Sequence, residues 1–171
     1  NALIDDFMMT HYDAECDLDG ALAATGTVNQ ALLNSWIQHP FFDRKWPKSL
    51  DRQDFLHFLT DPRFVVLVPA DALATLTCFT AQTISHAISK LPIAPKKVLV
   101  AGGGRRNRCM MDYLKTMLPM EVITDNQNEF VADMLEAELM AFLAARYHFR
   151  LPTSFPETTG CSQPVIGGQI V

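Results

Sequence analysis

Three consecutive glycines, Gly102, Gly103 and Gly104, follow the short apolar run Val98–Ala101 and precede Arg105, Arg106 and Asn107. A backbone without Cβ atoms lets a ring or a phosphate approach closely. A helix starting at Asn107 would add unpaired N–H groups and a positive dipole end, with Asn107 as its N-cap. The spacing is not GxGxxG, because no glycine follows three residues on. It is not a P-loop, because no GK[ST] follows. A ligand contact and a turn that simply needs positive φ both remain open from these residues.

Two carboxylates in the last apolar stretch are the next candidates. Glu136 and Glu138 sit in "ADMLEAELMAFLAARYHF" with apolar residues at their helical neighbours and no cation four residues on. A helix apolar on nearly all sides is expected to pack on both sides. A carboxylate there should meet a partner or face a cleft; a surface position, or a bond to Arg105 or Arg108, is the alternative. Asp5 and Asp6 could cap or could serve a site. Lys48 and Arg52 could hold a phosphate, but lone cations are more often solvated surface. His11, His39, His57, His86 and His148 share no spacing that suggests a metal.

The elements that would carry these groups follow from periodicity. Helices are expected over Ala2 to His11, over "TVNQALLNSWIQ" with Val28, Leu32, Ser35 and Trp36 aligned and Pro40 as the stop, and over "LDRQDFLHFLT" with Asp51 as N-cap. "FVVLV" at 64–68 reads equally as a buried strand or a helix shoulder. A long helix is expected from Ala70 to Lys90, its threonines (75, 77, 80, 83) bonding back to earlier carbonyls or lining a packed seam. Near residue 93 the pattern changes. Val98–Ala101 reads as a strand, Asn107–Leu118 as a helix with Cys109 or Met110, Tyr113, Leu114 and Met117 inward, and Val122–Thr124 as a second strand. That is an α/β unit with parallel strands, whose ligands would sit at the strands' carboxyl ends. A helix from Val131 to Phe149 and a tail broken by Pro152, Pro156 and Gly160 complete the chain.

The composition sets outer limits. With 171 residues, 49% hydrophobic and 19% charged, the chain can build a real core. Its net charge of −5 disfavours nucleic acid and anionic membranes as partners. No apolar run approaches the roughly 20 residues of a membrane span. Cys16, Cys78, Cys109 and Cys161 form no CxxC pattern, so reduced thiols in a cytoplasmic protein are expected and no zinc site is. The chain opens without Met in a helix already under way, which suggests a piece of a longer protein.

Several blocks in order, "NALIDDF", "DLDGALAATGTVNQALL", "HPFFDRKWPKSLDRQDF", "DALATLTCFTAQTI", "VLVAGGGRRN", "LEAELMAFLAAR" and "LPTSFPETTGCSQPVIGG", resemble anhydro-N-acetylmuramic acid kinases along essentially the whole chain. The resemblance is to the C-terminal half of such an enzyme. It implies the sugar kinase/Hsp70/actin-like (ribonuclease H-like) α/β fold with additional helices, here a mainly helical segment at 1–92 and an α/β nucleotide-binding part at 93–171. It implies ATP with Mg²⁺ as donor, anhydro-N-acetylmuramic acid as acceptor, a homodimer, and cytoplasmic cell-wall recycling.

In that implied reaction an aspartate activates the water that opens the 1,6-anhydro ring, and the freed O6 attacks the γ-phosphate. Gly102, Gly103, Gly104 and Asn107 match the family's GGGxxN, which resembles an adenosine-binding loop. Glu136 matches the glutamate of the EAxAFAWLA-like helix near the sugar, although Leu139, Met140 and Phe142 depart from that pattern. Asn1 matches the last residue of DTGPxN. The general-base aspartate of that motif would lie upstream of Asn1, and the phosphate-binding GTSxDG segment is likewise not among these residues, so these 171 residues alone are expected to be inactive. "KSLDR" departs from KSTGR, so Lys48 and Arg52 inherit no role. The other readings are a different sugar or acetate-type kinase of the superfamily, separable with a sugar panel, and a nucleotide-binding regulator that binds without turnover.

Overall fold

A computed structural model of the chain describes residues 1–124 and 134–169. Helix α1 (Ala2–Tyr12) buries Leu3, Ile4, Phe7 and Met8 and ends where Asp13 turns left-handed. Helix α2 (Gln30–Trp36) is capped by the Asn29 side chain, which accepts from Leu32 N–H at 3.1 Å. It buries Leu32, Leu33 and Trp36. Ser35, expected on that stripe, is exposed, and Leu33 takes the inward place.

Arg52–Thr60 carries the expected Asp51 cap, completed by Asp54 in a capping box, but winds as a 3₁₀ helix. Three residues per turn bring side chains three apart into register. Phe55 and Phe58 accordingly stack at 5.3 Å. Trp36 stacks on Phe58 at 4.9 Å and meets Phe79 edge-on at 5.4 Å. The "FVVLV" segment resolves towards helix: Pro62 at the first turn and the Asp61 cap on Arg63 N–H start α3 (Pro62–Val65), which points Phe64 inward.

Helix α4 (Pro69–Ser89) is the central strut, buried continuously from Ala72 to Phe79. Three of the four expected threonine back-bonds form: Thr75 to Asp71 O at 2.7 Å, Thr80 to Leu76 O at 3.0 Å, and Thr83 to Thr80 O at 2.9 Å, while Thr77 is buried in the packed seam without one. Thr75 also accepts from Asn29 N–H at 2.9 Å, tying α2 to α4. Gly26 lies so close to the start of α4 that a Cβ there would stand 2.7 Å from Asp71 N.

Strand β1 (Lys97–Val100), helix α5 (Arg108–Met117) and strand β2 (Glu121–Thr124) form the expected unit. The strands are parallel, with Val98 opposite Val122 and Leu99 opposite Ile123. Helix α5 presses Met110, Met111 and Leu114 against Ala81 of α4 and against the partly buried Val98, Val100 and Val122. Of the two expected alternatives, Met110 is the buried one, and Cys109 is only partly buried.

Helix α6 (Leu135–His148) corrects one expectation. Read as packed on both sides, it has no buried residue among those described. Leu139, Met140 and Phe142 are 49%, 62% and 56% exposed. An all-round apolar pattern states what a helix would bury, not whether this chain supplies the cover. The expected start at Val131 lies outside the described residues. The tail touches α6: Arg146 Nε donates to Pro152 O at 2.6 Å, and the Tyr147 ring lies against Gly168. Pro156 and Gly160, expected as breakers, bound the single-turn helix α7 (Pro156–Thr159).

Candidate functional site

The glycines leave the carboxyl end of β1. Gly102 has φ +78°, a value that L side chains rarely adopt. Gly103–Arg106 then form a 3₁₀ turn, and Arg105 Nη1 donates to Gly102 O at 3.1 Å. Asn107 caps α5 as expected, its Oδ1 accepting from Met110 N–H at 2.8 Å. A Cβ built on Gly102 or Gly103 meets nothing within 4 Å, whereas one on Gly104 would come within 3.0 Å of Met110 Cε. Gly102 is therefore required by its dihedral angle, Gly104 lies against the mobile end of the Met110 side chain, and Gly103 faces open space.

The loop forms one wall of a cleft of about 380 Å³. Gly103, Gly104, Arg106 and Asn107 line this wall, and Met110 also contributes. Asn1, Ile4 and Asp5 from α1 and the segment Glu15–Asp19 also line the cleft. The acidic segment was missed as a site by residue patterning. It is held by Asp17, whose two buried carboxylate oxygens accept from Leu22 N–H and Ala23 N–H, both at 2.9 Å. Gly20, at φ +70°, closes the segment onto the glycine wall: a Cβ there would stand 2.7 Å from Asn107 Cγ and 3.1 Å from Cys109 Cβ. The signal in the sequence was Gly20 at the end of "DLDG", but its partner, Asn107, is remote along the chain.

The thiols and the phenol packed near Gly20 stay protonated at neutral pH. Burial raises the Cys109 thiol above its usual value, against a hydrogen bond with Tyr113 that lowers it. Burial likewise pushes Cys78 up to about 11 and Tyr113 up to about 12. A thiol held that high is no nucleophile at neutral pH.

The structure thus brings Gly103, Gly104 and Asn107 together with Asn1 and Asp5. Gly102 shapes the loop from behind. Glu136 is exposed in the first turn of α6 and is not among the described residues that line the cleft. Glu138 is exposed too. Lys48 is engaged elsewhere, donating to Phe41 O and Phe42 O at 3.0 Å each and lying 4.6 Å from the Phe41 ring. A shallower hollow of about 480 Å³ includes Trp36, His39, His57, Asp61 and Arg63. There the Arg63 guanidinium grips Asp61 at 3.0 and 2.6 Å and lowers its carboxyl to about 2, so the pair is internally neutralised.

All 171 residues match the profile of the Anhydro-N-acetylmuramic acid kinase family. Curated relatives of that name include one from Mesorhizobium japonicum, 42% identical over 99% of this chain and 45% of its own length. One from Brucella anthropi is 42% identical over 100% of this chain and 45% of its own. Another from Rhodopseudomonas palustris is 43% identical over 98% of this chain and 45% of its own. The chain spans a little under half the length of these relatives. Collinear matching along every residue, at this identity, makes the chain a member of the anhydro-N-acetylmuramic acid kinase family.

Proposed function

We propose that this chain is the C-terminal half of a two-domain kinase of the sugar kinase/Hsp70/actin-like fold. The whole protein opens the 1,6-anhydro ring of anhydro-N-acetylmuramic acid and phosphorylates O6 at the expense of ATP, as a cytoplasmic homodimer serving cell-wall recycling. Segment 1–92 is its mainly helical part and 93–171 its nucleotide-binding part. The observation that carries the reading is the open space in front of Gly103, at the carboxyl end of β1, where the backbone is bare and the turn is fixed.

The donor set fits a nucleoside better than a bare triphosphate. Asp5, Glu15, Asp17 and Asp19 line the cleft beside the one cation Arg106 among its described lining residues. A triphosphate would meet repulsion there, while hydroxyl and amino donors would be accepted. Backbone at Gly103 and Gly104 and the Asn107 side chain would hold the adenosine end. Because Asn107 Oδ1 is engaged in the helix cap, its Nδ2 is what it offers a ligand. ATP supplies the phosphoryl group, and Mg²⁺ neutralises its charge. Glu15 and Asp19, both exposed, are the carboxylates this chain offers to such an ion, which needs only one or two of them beside the phosphates. Glu136 would stand at the sugar.

The fixed turn and the cap position these donors before ligand arrives. Coupled ADP-release assays on the full-length protein test the reading. Turnover is expected with anhydro-N-acetylmuramic acid and ATP, and not with a panel of hexoses. Turnover on hexoses alone, or nucleotide binding without turnover, would overturn it.

A further inference from the structure

Three asparagines occupy helix N-caps in this chain, and one behaves differently. Asn29 and Asn107 each accept a hydrogen bond from a backbone N–H of the helix they start. Asn1 makes no such bond to α1 among the described residues. An asparagine at an N-cap ordinarily takes that bond. Its Nδ2 instead donates across the fold to Thr80 Oγ1 on α4.

The hydroxyl chemistry fixes the direction of that contact. Thr80 has one hydroxyl proton, and it goes to Leu76 O at 3.0 Å. Towards Asn1 the oxygen can then only accept. The amide is therefore oriented, with Nδ2 on Thr80 and Oδ1 left as the acceptor of a side chain that lines the cleft. The opposite wall refers to the same strut, because α5, capped by Asn107, packs on α4. Both asparagines of the cleft are thus placed relative to one rigid helix.

We propose that Thr80 is a positioning residue of this cleft, holding the Asn1 side chain in register with the glycine wall. The proposal rests on the kinase reading for its assay but on the Asn1–Thr80–Leu76 chain for its content.

The test uses the full-length protein with Thr80→Val, Thr80→Ser, Thr83→Val and Asn1→Asp. Thr83 makes a back-bond of the same kind and serves as the control. Thr80→Val should lower kcat/KM roughly ten-fold or more, as misplacement of a site group does, with the melting temperature nearly unchanged. Thr80→Ser should restore it to within about three-fold, since both bonds return. Thr83→Val should resemble the wild type. Asn1→Asp, which cannot donate, should reproduce Thr80→Val, and the two together should add no further loss.

Wild-type kinetics in Thr80→Val, or losses that multiply in the double variant, overturn the proposal. Should Thr80→Val fold poorly, wild-type kinetics in Asn1→Asp overturn it by themselves. A wild-type protein that fails to turn over the anhydro sugar sinks the kinase reading instead. In that case ATP-analogue affinity across the same variants still reads the Thr80 contact, and affinity unchanged throughout overturns it.

Discussion

At the scale of single residues, Gly20 and Gly102 are needed by the fold for their positive φ, whereas Gly103 is not. Gly103→Val projects its side chain into open space. It should leave the melting temperature within a few degrees while weakening ATP-analogue binding roughly ten-fold or more, about 1.4 kcal/mol or above, as calorimetry on the full-length protein would record. Unchanged affinity would return the loop to being only a turn. Gly20→Ala should act in the opposite way. Its positive φ and its contact with Asn107 predict a loss of about 1–3 kcal/mol in stability, read from urea melts. The Gly102–Gly104 run and the Asn107 cap were legible because both are local patterns. Gly20 was not, because its reason for being glycine is a side chain on another element.

At the scale of elements, the core of the helical part is aromatic, and a titratable ring, the half-buried His39, packs at its edge. His39 meets Phe55 edge-on at 5.3 Å and lies 5.7 Å from His57. Burial first, then His57 and Arg44, hold its pKa below the ordinary value, with Asp54 opposing. A lowered folded-state value means that protonation disfavours the fold. The contribution is therefore complete above the unfolded value of about 6.5 and is lost as pH falls through the lower folded value. The melting temperature should be flat from pH 8 to 7 and decline towards pH 5. His39→Asn, which keeps an acceptor for Phe41 N–H, should flatten that decline; an unchanged slope would place the sensitivity elsewhere. Trp36→Ala should cost about 3–5 kcal/mol in urea melts, because the indole is 2% exposed and touches Phe58, Phe64 and Phe79. The caps at Asp51 and Asn107 were readable from residue type, whereas Asn29, read as part of its helix, turned out to cap it. The 3₁₀ winding of Arg52–Thr60 was not readable, since Phe55 and Phe58 suit either helix until neighbouring rings select the stack.

At the scale of the whole molecule, the exposed apolar face of α6 and the tail sets an expectation for the 171-residue chain expressed by itself. Met140, Phe142, Phe149 and Leu151 leave enough apolar surface in water for hydrophobic-dye binding or concentration-dependent association. Met140→Glu with Phe142→Glu should reduce both in light scattering and dye titration. The same polypeptide should release no ADP with the anhydro sugar, because the motif expected to carry the base is not among these residues. Robust turnover would sink that expectation. No helix among the described residues is long and apolar enough to cross a membrane.

The sequence by itself determined the parallel β1–α5–β2 unit, the glycine loop at its carboxyl end and the caps that start its helices. Each rests on periodicity or on side chains bonding within a few positions, and such interactions are written along the chain. Only the tertiary structure decided that Glu15–Asp19 lines the cleft with that loop, that Asn1 turns to Thr80 rather than to its own helix, and that α6 stays exposed with Glu136 on its first turn. Those outcomes depend on which surfaces meet in space, and a hydrophobic pattern specifies that a face wants burial without naming what buries it.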